Sequence, residues 1–357
     1  MTTPLSATES PAESPAESPL RPVRLPRRWL LLASALLVGV VVVGMAVGPA
    51  GVPLSGIVVE IVNYLPGVDL DGGLSDLESA VLWELRAPRI VLGLLVGGML
   101  ALAGAGYQGV FRNPLADPYL LGVAAGAGLG ATLAIVTTAD RLLLPIAAFV
   151  GACVGVAATY GLGRSAGGRS SDSLILAGVA VAAFLTAIQT YVNQRHSDSL
   201  REVYGWILGR LLTAGWGDVV MVLPYIAVAA AVILAHRRLL DVMSVGHAEA
   251  GGLGVPAARV RLVVVLAATL GTAAAVAVSG LIGFVGIVVP HLVRMLAGTS
   301  YRIVLPLAAI VGAAFLVGAD LIARTIVAPG ELPVGVVTAF VGAPFFTLVL
   351  RTSRGPA

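Results

Sequence analysis

Of the 357 residues, 58% are hydrophobic and only 11% charged, with a mean hydropathy of +0.96, which is more apolar than a water-soluble core of this size needs and marks an all-α polytopic membrane protein. All 22 basic residues are arginine; without lysine the chain cannot build a G-x-x-x-x-G-K-[ST] phosphate loop, so it is not expected to hydrolyse ATP itself. Cys153 stands alone in an apolar run, and His196, His236, His247 and His291 show no ligand spacing, so no disulfide, metal site or other cofactor is expected.

Residues 1–28 begin as Ser, Pro, Ala and Glu with PAES written twice, a composition that cannot bury a core and predicts a disordered tail. Arg21, Arg24, Arg27 and Arg28 precede an apolar run from Trp29 to Val47. That run is longer than a signal-peptide core, and it is read as an uncleaved first span opening a membrane domain over 29–354. Further runs of about 17 to 22 residues, enough to cross a bilayer, cover Ile90–Val110, Tyr119–Thr137, Leu142–Leu162, Leu174–Tyr191, Val219–Ala235, Ile303–Ile322 and Val334–Leu350. Leu262–Leu296 is about twice what one helix uses and is split at Ser279 and Gly280, which makes ten transmembrane helices. Glycines within the spans, such as Gly93, Gly97, Gly98, Gly104, Gly106 and Gly109, read as helix-packing positions rather than a ligand site.

With the amino terminus cytoplasmic, 15 arginines fall inside and 7 outside, which supports cytoplasmic amino and carboxyl termini. The acidic segment Asp69–Glu84 then lies outside, as does a short surface helix expected over Leu200–Leu212. A polar island, His236–Arg261, lies inside. Too short for a soluble domain and too polar for lipid, it is either an ordinary basic loop or a segment that a partner grips. Its middle, Val245–Leu253, reads as a short helix ending at Gly251 and Gly252, with Gly254 and Pro256 as stop signals.

Few residues could carry chemistry. Asn113, Pro114, Asp117 and Pro118, after Arg112, form a proline-bracketed turn. Ser170, Ser171, Asp172 and Ser173 would cap the fifth span or line a polar constriction at its inner mouth. Asp320 is the only acidic residue well inside a span, and a carboxylate there costs about 3 kcal/mol by insertion scales. Arg324, one helical turn away, could pair with it, so a structural ion pair and a functional carboxylate both stay open. His291, beside Pro290, is expected to be hydrogen-bonded within the bundle rather than to bind metal.

Several blocks in one order give a resemblance over Trp83–Arg354: ELRAPRIVLGLLVGGMLALAGAGYQGVFRNPLADPYLLGVAAGAG from Glu84, VGHAEAGGLGV from Val245, SGLIGFVGIVVPHLVR from Ser279, GADLIAR from Gly318 and ELPVGVVTAFVGAPFF from Glu331. The chain resembles the permease subunits of ATP-driven (type II ABC) importers for iron chelates, haem and cobalamin. That resemblance implies ten helices per subunit, a second permease subunit, identical or a close paralogue, two separate ATP-binding cassette subunits and an extracytoplasmic binding protein. The partners are thus proteins and the bilayer of the cell membrane, with no role for nucleic acid. It also implies that the polar island seats in the ATPase through Gly246, His247, Glu249, Ala250, Leu253 and Gly254. His247 and the Gly251–Gly252 pair depart from the pattern, and glycine costs about 1 kcal/mol relative to Ala in a helix, so this helix is expected to be short. Ser171 and Asp172 match the inner gate. Arg86 and Arg324 match positions that meet glutamates of the binding protein, and topology places them on the outer surface. The cargo is expected to be a ferric siderophore, with cobalamin or haem as alternatives. A proton-coupled carrier relying on Asp320 is the alternative of another class; an intramembrane enzyme lacks any Ser/His, Asp/Asp or His/Glu constellation.

Overall fold

The computed structural model describes residues 25–48, 51–63, 70, 73–138, 142–165, 171–211, 215–328 and 330–353. The disordered tail expected over residues 1–28 lies outside them except for its last four residues, and Arg27 and Arg28 already belong to the first helix. In chain order the helices are α1 (Arg27–Ala46), α2 (Leu54–Asn63), α3 (Asp76–Ala80), α4 (Ala87–Phe111), α5 (Val123–Thr137), α6 (Leu143–Ser165), α7 (Ser171–Arg195), α8 (Leu200–Ile207), α9 (Trp216–Ala235), α10 (Arg237–Val245), α11 (His247–Gly252), α12 (Ala257–Ser279), α13 (Val285–Ala297), α14 (Tyr301–Thr325) and α15 (Val334–Ser353).

Each of the ten apolar runs read from the sequence contains one α-helix of ten residues or more, as expected where a chain in lipid must satisfy its backbone N–H and C=O groups within the segment. Among the described residues, seven helices are long and apolar enough to cross a membrane: α1, the continuous stretch Asp76–Phe111, α6, α7, α9, α12 and α14. The other three are shorter, α5 with 15 residues, α13 with 13 and the apolar part of α15 over Val334–Val349. In two of them part of the expected span is not α-helical. The third begins as a 3-10 turn, Pro118–Leu121, that ends on Gly122 at φ +81°. The eighth is preceded by the open segment Gly280–Phe284.

Helix α4 is the axis of the bundle, buried along nearly its whole length and packed against α14, α12, α13 and α9. Small residues make this possible. A Cβ on Gly97 would overlap the carbonyl of Gly312 on α14, and one on Gly104 would overlap that of Gly286 on α13, so backbones touch where lipid offers no hydrophobic drive. On its amino-terminal side α4 is extended by the π-helical turn Val81–Arg86 and by α3, to 36 residues in all. Ser75 and Glu78 start this extension as a reciprocal capping box, so the acidic segment Asp69–Glu84 is helical from Asp76 onward.

The surface helix expected to Leu212 stops at Ile207. Gly209 then turns at φ +73° and the chain dives inward. Arg210 N–H donates to Ser279 O at 2.8 Å, Val334 N–H to Gly209 O at 3.0 Å and Gly335 N–H to Leu208 O at 3.1 Å. This turn therefore ties the break after α12 to the start of α15. In the break Phe284 holds φ +69°, a left-handed conformation that costs a bulky residue of order 1–3 kcal/mol and persists only where the surroundings enforce it.

Candidate functional site

Helices α10 and α11 build the first candidate surface. Leu240 and Met243 of α10 are completely buried beneath it. Asp241 fastens the same helix to the start of α14: its carboxylate accepts from the Tyr301 N–H and, at 2.8 Å, from Ser300 Oγ, and it pairs with Arg302 Nε at 3.2 Å. Gly246 makes the sharp step from α10 into α11 at φ +157°, where an added Cβ would displace the movable end of the Glu249 side chain. Gly254 leaves α11 at φ +78°, the left-handed stop that favours glycine.

Helix α11 has six residues, His247–Gly252, and ends at the glycine pair as the sequence predicts, starting two residues later than the expected Val245. Its Ala250 is fully buried, whereas Leu253 is 69% exposed. The two apolar positions expected to face a partner together are thus divided, with Ala250 holding α11 down and Leu253 presented outward. The side chain of His247 lies outside the described ones. A rigidly anchored step carrying an exposed leucine is suited to pass a push from outside into α14 and α12.

Beneath it, Arg112 ends α4 at φ +50° and the turn from Asn113 to Pro118 follows. Asn113 Oδ1 accepts from Leu115 N–H at 2.9 Å and Asp117 Oδ1 from Tyr119 N–H at 2.8 Å, the local side-chain closures that favour Asn and Asp in turns. Burial pushes the Asp117 carboxyl up to about 6. Tyr119 OH donates to Ile282 O at 3.0 Å and accepts from Ile282 N–H at 3.1 Å. Gln108 Nε2 donates to Gly286 O at 2.9 Å while its Oε1 accepts from Arg294 Nη2 at 2.6 Å. The turn with Asn113, Pro114 and Pro118 is therefore latched to the break at 280–284 and to α13, which carries the buried Pro290 and the half-buried His291. The imidazole of His291 stands edge-on to Phe345, ring centres 6.0 Å apart. Among the described residues no His, Cys, Asp or Glu cluster could hold a metal ion.

The opposite end of the bundle holds a buried charge cluster. Arg89 donates from Nε to both Asp320 oxygens at 3.0 Å and from Nη2 to Oδ1 at 2.8 Å. Its guanidinium also forks onto Glu331, at 3.1 Å from Nη1 and 2.8 Å from Nη2. Arg324, expected as the partner of Asp320, comes only to 3.9 Å through Nε. The principal cation is therefore Arg89, 231 positions away in sequence, and the open choice at Asp320 falls toward a structural ion pair.

Arg86 and Arg324 are not on the surface as expected: they are 5% and 3% exposed. Arg324 Nη2 donates to Gly44 O at 2.5 Å, and Arg86 Nη1 to Met45 O and, at 3.0 Å, to Ala46 O. Both guanidiniums thus cap the carboxyl end of α1, where the last carbonyls lack helical partners and the helix dipole favours cations. The physical reason for the correction is that α1 leans on α14 and its final turn covers the pair. Ser171 and Asp172 open α7, but their side chains lie outside the described ones, and so does the gate expected there.

Residues 35–352 match the model of the FecCD transport family. The chain is 40% identical to the cobalamin import system permease protein of Halobacterium salinarum, covering 79% of this chain and 76% of that protein. It is 39% identical to the Fe(3+)-citrate import system permease protein YfmD of Bacillus subtilis, covering 78% and 83%. It is 40% identical to the hemin transport system permease protein of Yersinia pestis, covering 75% and 82%. A solved metal-chelate type ABC transporter in an inward-facing conformation superimposes with a TM-score of 0.80 at 28% identity, covering 92% of this chain and all of that one.

Proposed function

The chain belongs to the FecCD transport family and is a multi-pass permease of an ATP-binding-cassette importer in the inner membrane; on that premise we propose that its cargo is a ferric siderophore or a similar large iron chelate. The ferric-citrate relative and the metal-chelate transporter support that cargo class. The cognate binding protein, purified with the ligand it carries from cells, should show the visible charge-transfer band of an iron chelate. A haem Soret band or a corrinoid spectrum would replace the iron chelate by one of the other two cargoes.

In this proposal ten helices span the membrane (α1, α4, α5, α6, α7, α9, α12, α13, α14 and α15) with both termini cytoplasmic. A second permease subunit, identical or closely paralogous, packs on the apolar faces of α7 and α15, where Leu176, Phe184 and Phe340 are 70%, 66% and 77% exposed. Two ATPase subunits supply the energy, and the permease itself catalyses no reaction. The observation that carries the coupling role is the anchored α10–α11 step with Leu253 outward: ATP-driven closure of the partners would press on this leucine, and Leu240, Met243 and Asp241 would carry the displacement into the bundle.

The extracytoplasmic binding protein docks, in the same reading, at the α1–α14 corner. Its carboxylates would displace the α1 carbonyls from Arg86 and Arg324, exchanging neutral acceptors for charged ones. A proton-coupled carrier is not favoured, because both oxygens of Asp320 are occupied by Arg89.

A further inference from the structure

The ends of α6, α7 and α12 border a half-open cavity of about 440 Å³ whose lining includes none of the α10–α11 residues. Its charged rim is Arg164, in the last turn of α6, with Arg259 and Arg261 in the opening turns of α12; its walls are Tyr160, Leu174 and Leu262. The first turn of α12 contains no acidic residue, and its preceding residue, Pro256, offers no side-chain cap. The Ala257 and Arg259 N–H groups already donate to Val255 O and Pro256 O at 2.9 Å each, so what disfavours cations and favours an anion here is the positive end of the helix dipole with the two arginines beside it. Neither Arg164 nor Arg259 forms an ion pair among the described residues.

A soluble anion would need only the rim. The apolar walls add a second requirement, because Leu262 is 46% exposed at the mouth and would lie beside a chain of methylenes in a bilayer. Arginines at a membrane surface bury their stems and keep the guanidinium at headgroup level, and basic pockets between spanning helices suit anionic headgroups.

We propose that this cavity binds an anionic phospholipid, with Arg164, Arg259 and Arg261 on the headgroup phosphate and Tyr160, Leu174 and Leu262 along the first part of an acyl chain. The proposal takes from the transport reading only that this end of the bundle lies at a bilayer surface. The readout below requires neither transport nor ATP.

The test is native mass spectrometry of the delipidated permease complex titrated with phosphatidylglycerol, with phosphatidylcholine, and with inorganic phosphate as competitor. One tightly held phosphatidylglycerol per permease chain is expected, with weaker phosphatidylcholine binding and no displacement by phosphate. The triple variant Arg164→Gln, Arg259→Gln, Arg261→Gln should bind phosphatidylglycerol about a hundredfold more weakly, at roughly fivefold per arginine. If that variant does not fold, Arg259→Gln alone should show the fivefold loss. Equal retention of the two lipids, full displacement by free phosphate, or an equal loss in a control triple variant at Arg27, Arg28 and Arg351 would overturn the proposal. Asp172 begins α7 nearby in sequence, and a wild type that binds no lipid while Asp172→Asn does would show the cluster neutralised from within, which also overturns it.

Discussion

Replacing Arg89 by Leu probes the buried charge cluster most sharply. The substitution removes the fork that holds Asp320 and Glu331 at 2.8 Å each and leaves two carboxylates facing one remaining close cation, Arg324, at 3.9 Å from Asp320. Breaking a buried pair by deleting one partner costs about 3–5 kcal/mol. Arg324 cannot fully compensate, because its Nη2 is committed to Gly44 O. At about 2 °C per kcal/mol for a chain of this size, the thermal midpoint in detergent should fall by roughly 6–10 °C. Asp320→Asn should cost less, since Arg89 keeps its fork on Glu331 and an amide oxygen still accepts from it. Thermal melts of Arg89→Leu, of Asp320→Leu and of the double variant Arg89→Leu, Asp320→Leu form a cycle in which the double should be milder than Arg89→Leu alone. If Arg89→Leu costs no more than Arg201→Leu on the exposed α8, the cluster does not hold the bundle together.

At the coupling step, Leu253→Asp should leave folding intact while abolishing stimulation of transport by the partner ATPase; Ala250→Asp should instead lower the melting temperature, since that position is buried, and equal melting of the two variants would contradict the division. Asp117 should report through pH. Its carboxyl is raised from 3.8 to about 6, so the native state holds the proton more tightly than the unfolded chain and stability is lost as pH rises from about 4 to about 6. At 1.36 kcal/mol per unit that is about 3 kcal/mol, and Asp117→Asn should flatten the melting temperature across this window; an unchanged slope would exclude Asp117 as its source. For docking, Arg86→Glu with Arg324→Glu should prevent binding-protein association and loosen the end of α1 together, and charge reversal on the partner should restore association but not α1. Restoration of both, or loss of neither, would contradict the shared use of these arginines.

The seven long spans were legible because lipid imposes one rule on every residue of a long run, and hydropathy reads that rule directly. Ser279 and Gly280 marked the break before α13 correctly, but not its five-residue length, which depends on Arg210, Leu208 and Gly335 reaching in from elsewhere in the chain. Asp320 stood out as an intramembrane carboxylate; its partner did not, because Arg89 is brought to it by the packing of α4 on α14 and no local spacing encodes that approach. Arg324 looked like the partner because one helical turn is the only distance a sequence displays. Exposure at Arg86 and Arg324 was misjudged for a related reason: their cover is the last turn of α1, some forty residues before Arg86. The proposed coupling segment was readable as a polar island with glycine stops, while the opposite facing of Ala250 and Leu253 depends on how α11 lies against the bundle.

In the proposed mechanism this chain moves cargo only when ATPase partners act on the α10–α11 step. The direct measurement is uptake of the iron chelate, carried by the binding protein, into vesicles containing the permease with and without those ATPase subunits, in the presence of ATP and in a separate series under an imposed proton gradient. Uptake that requires ATP and the ATPase subunits, and that Leu253→Asp abolishes, is the predicted result. Uptake driven by the proton gradient alone in vesicles lacking the ATPase would contradict it.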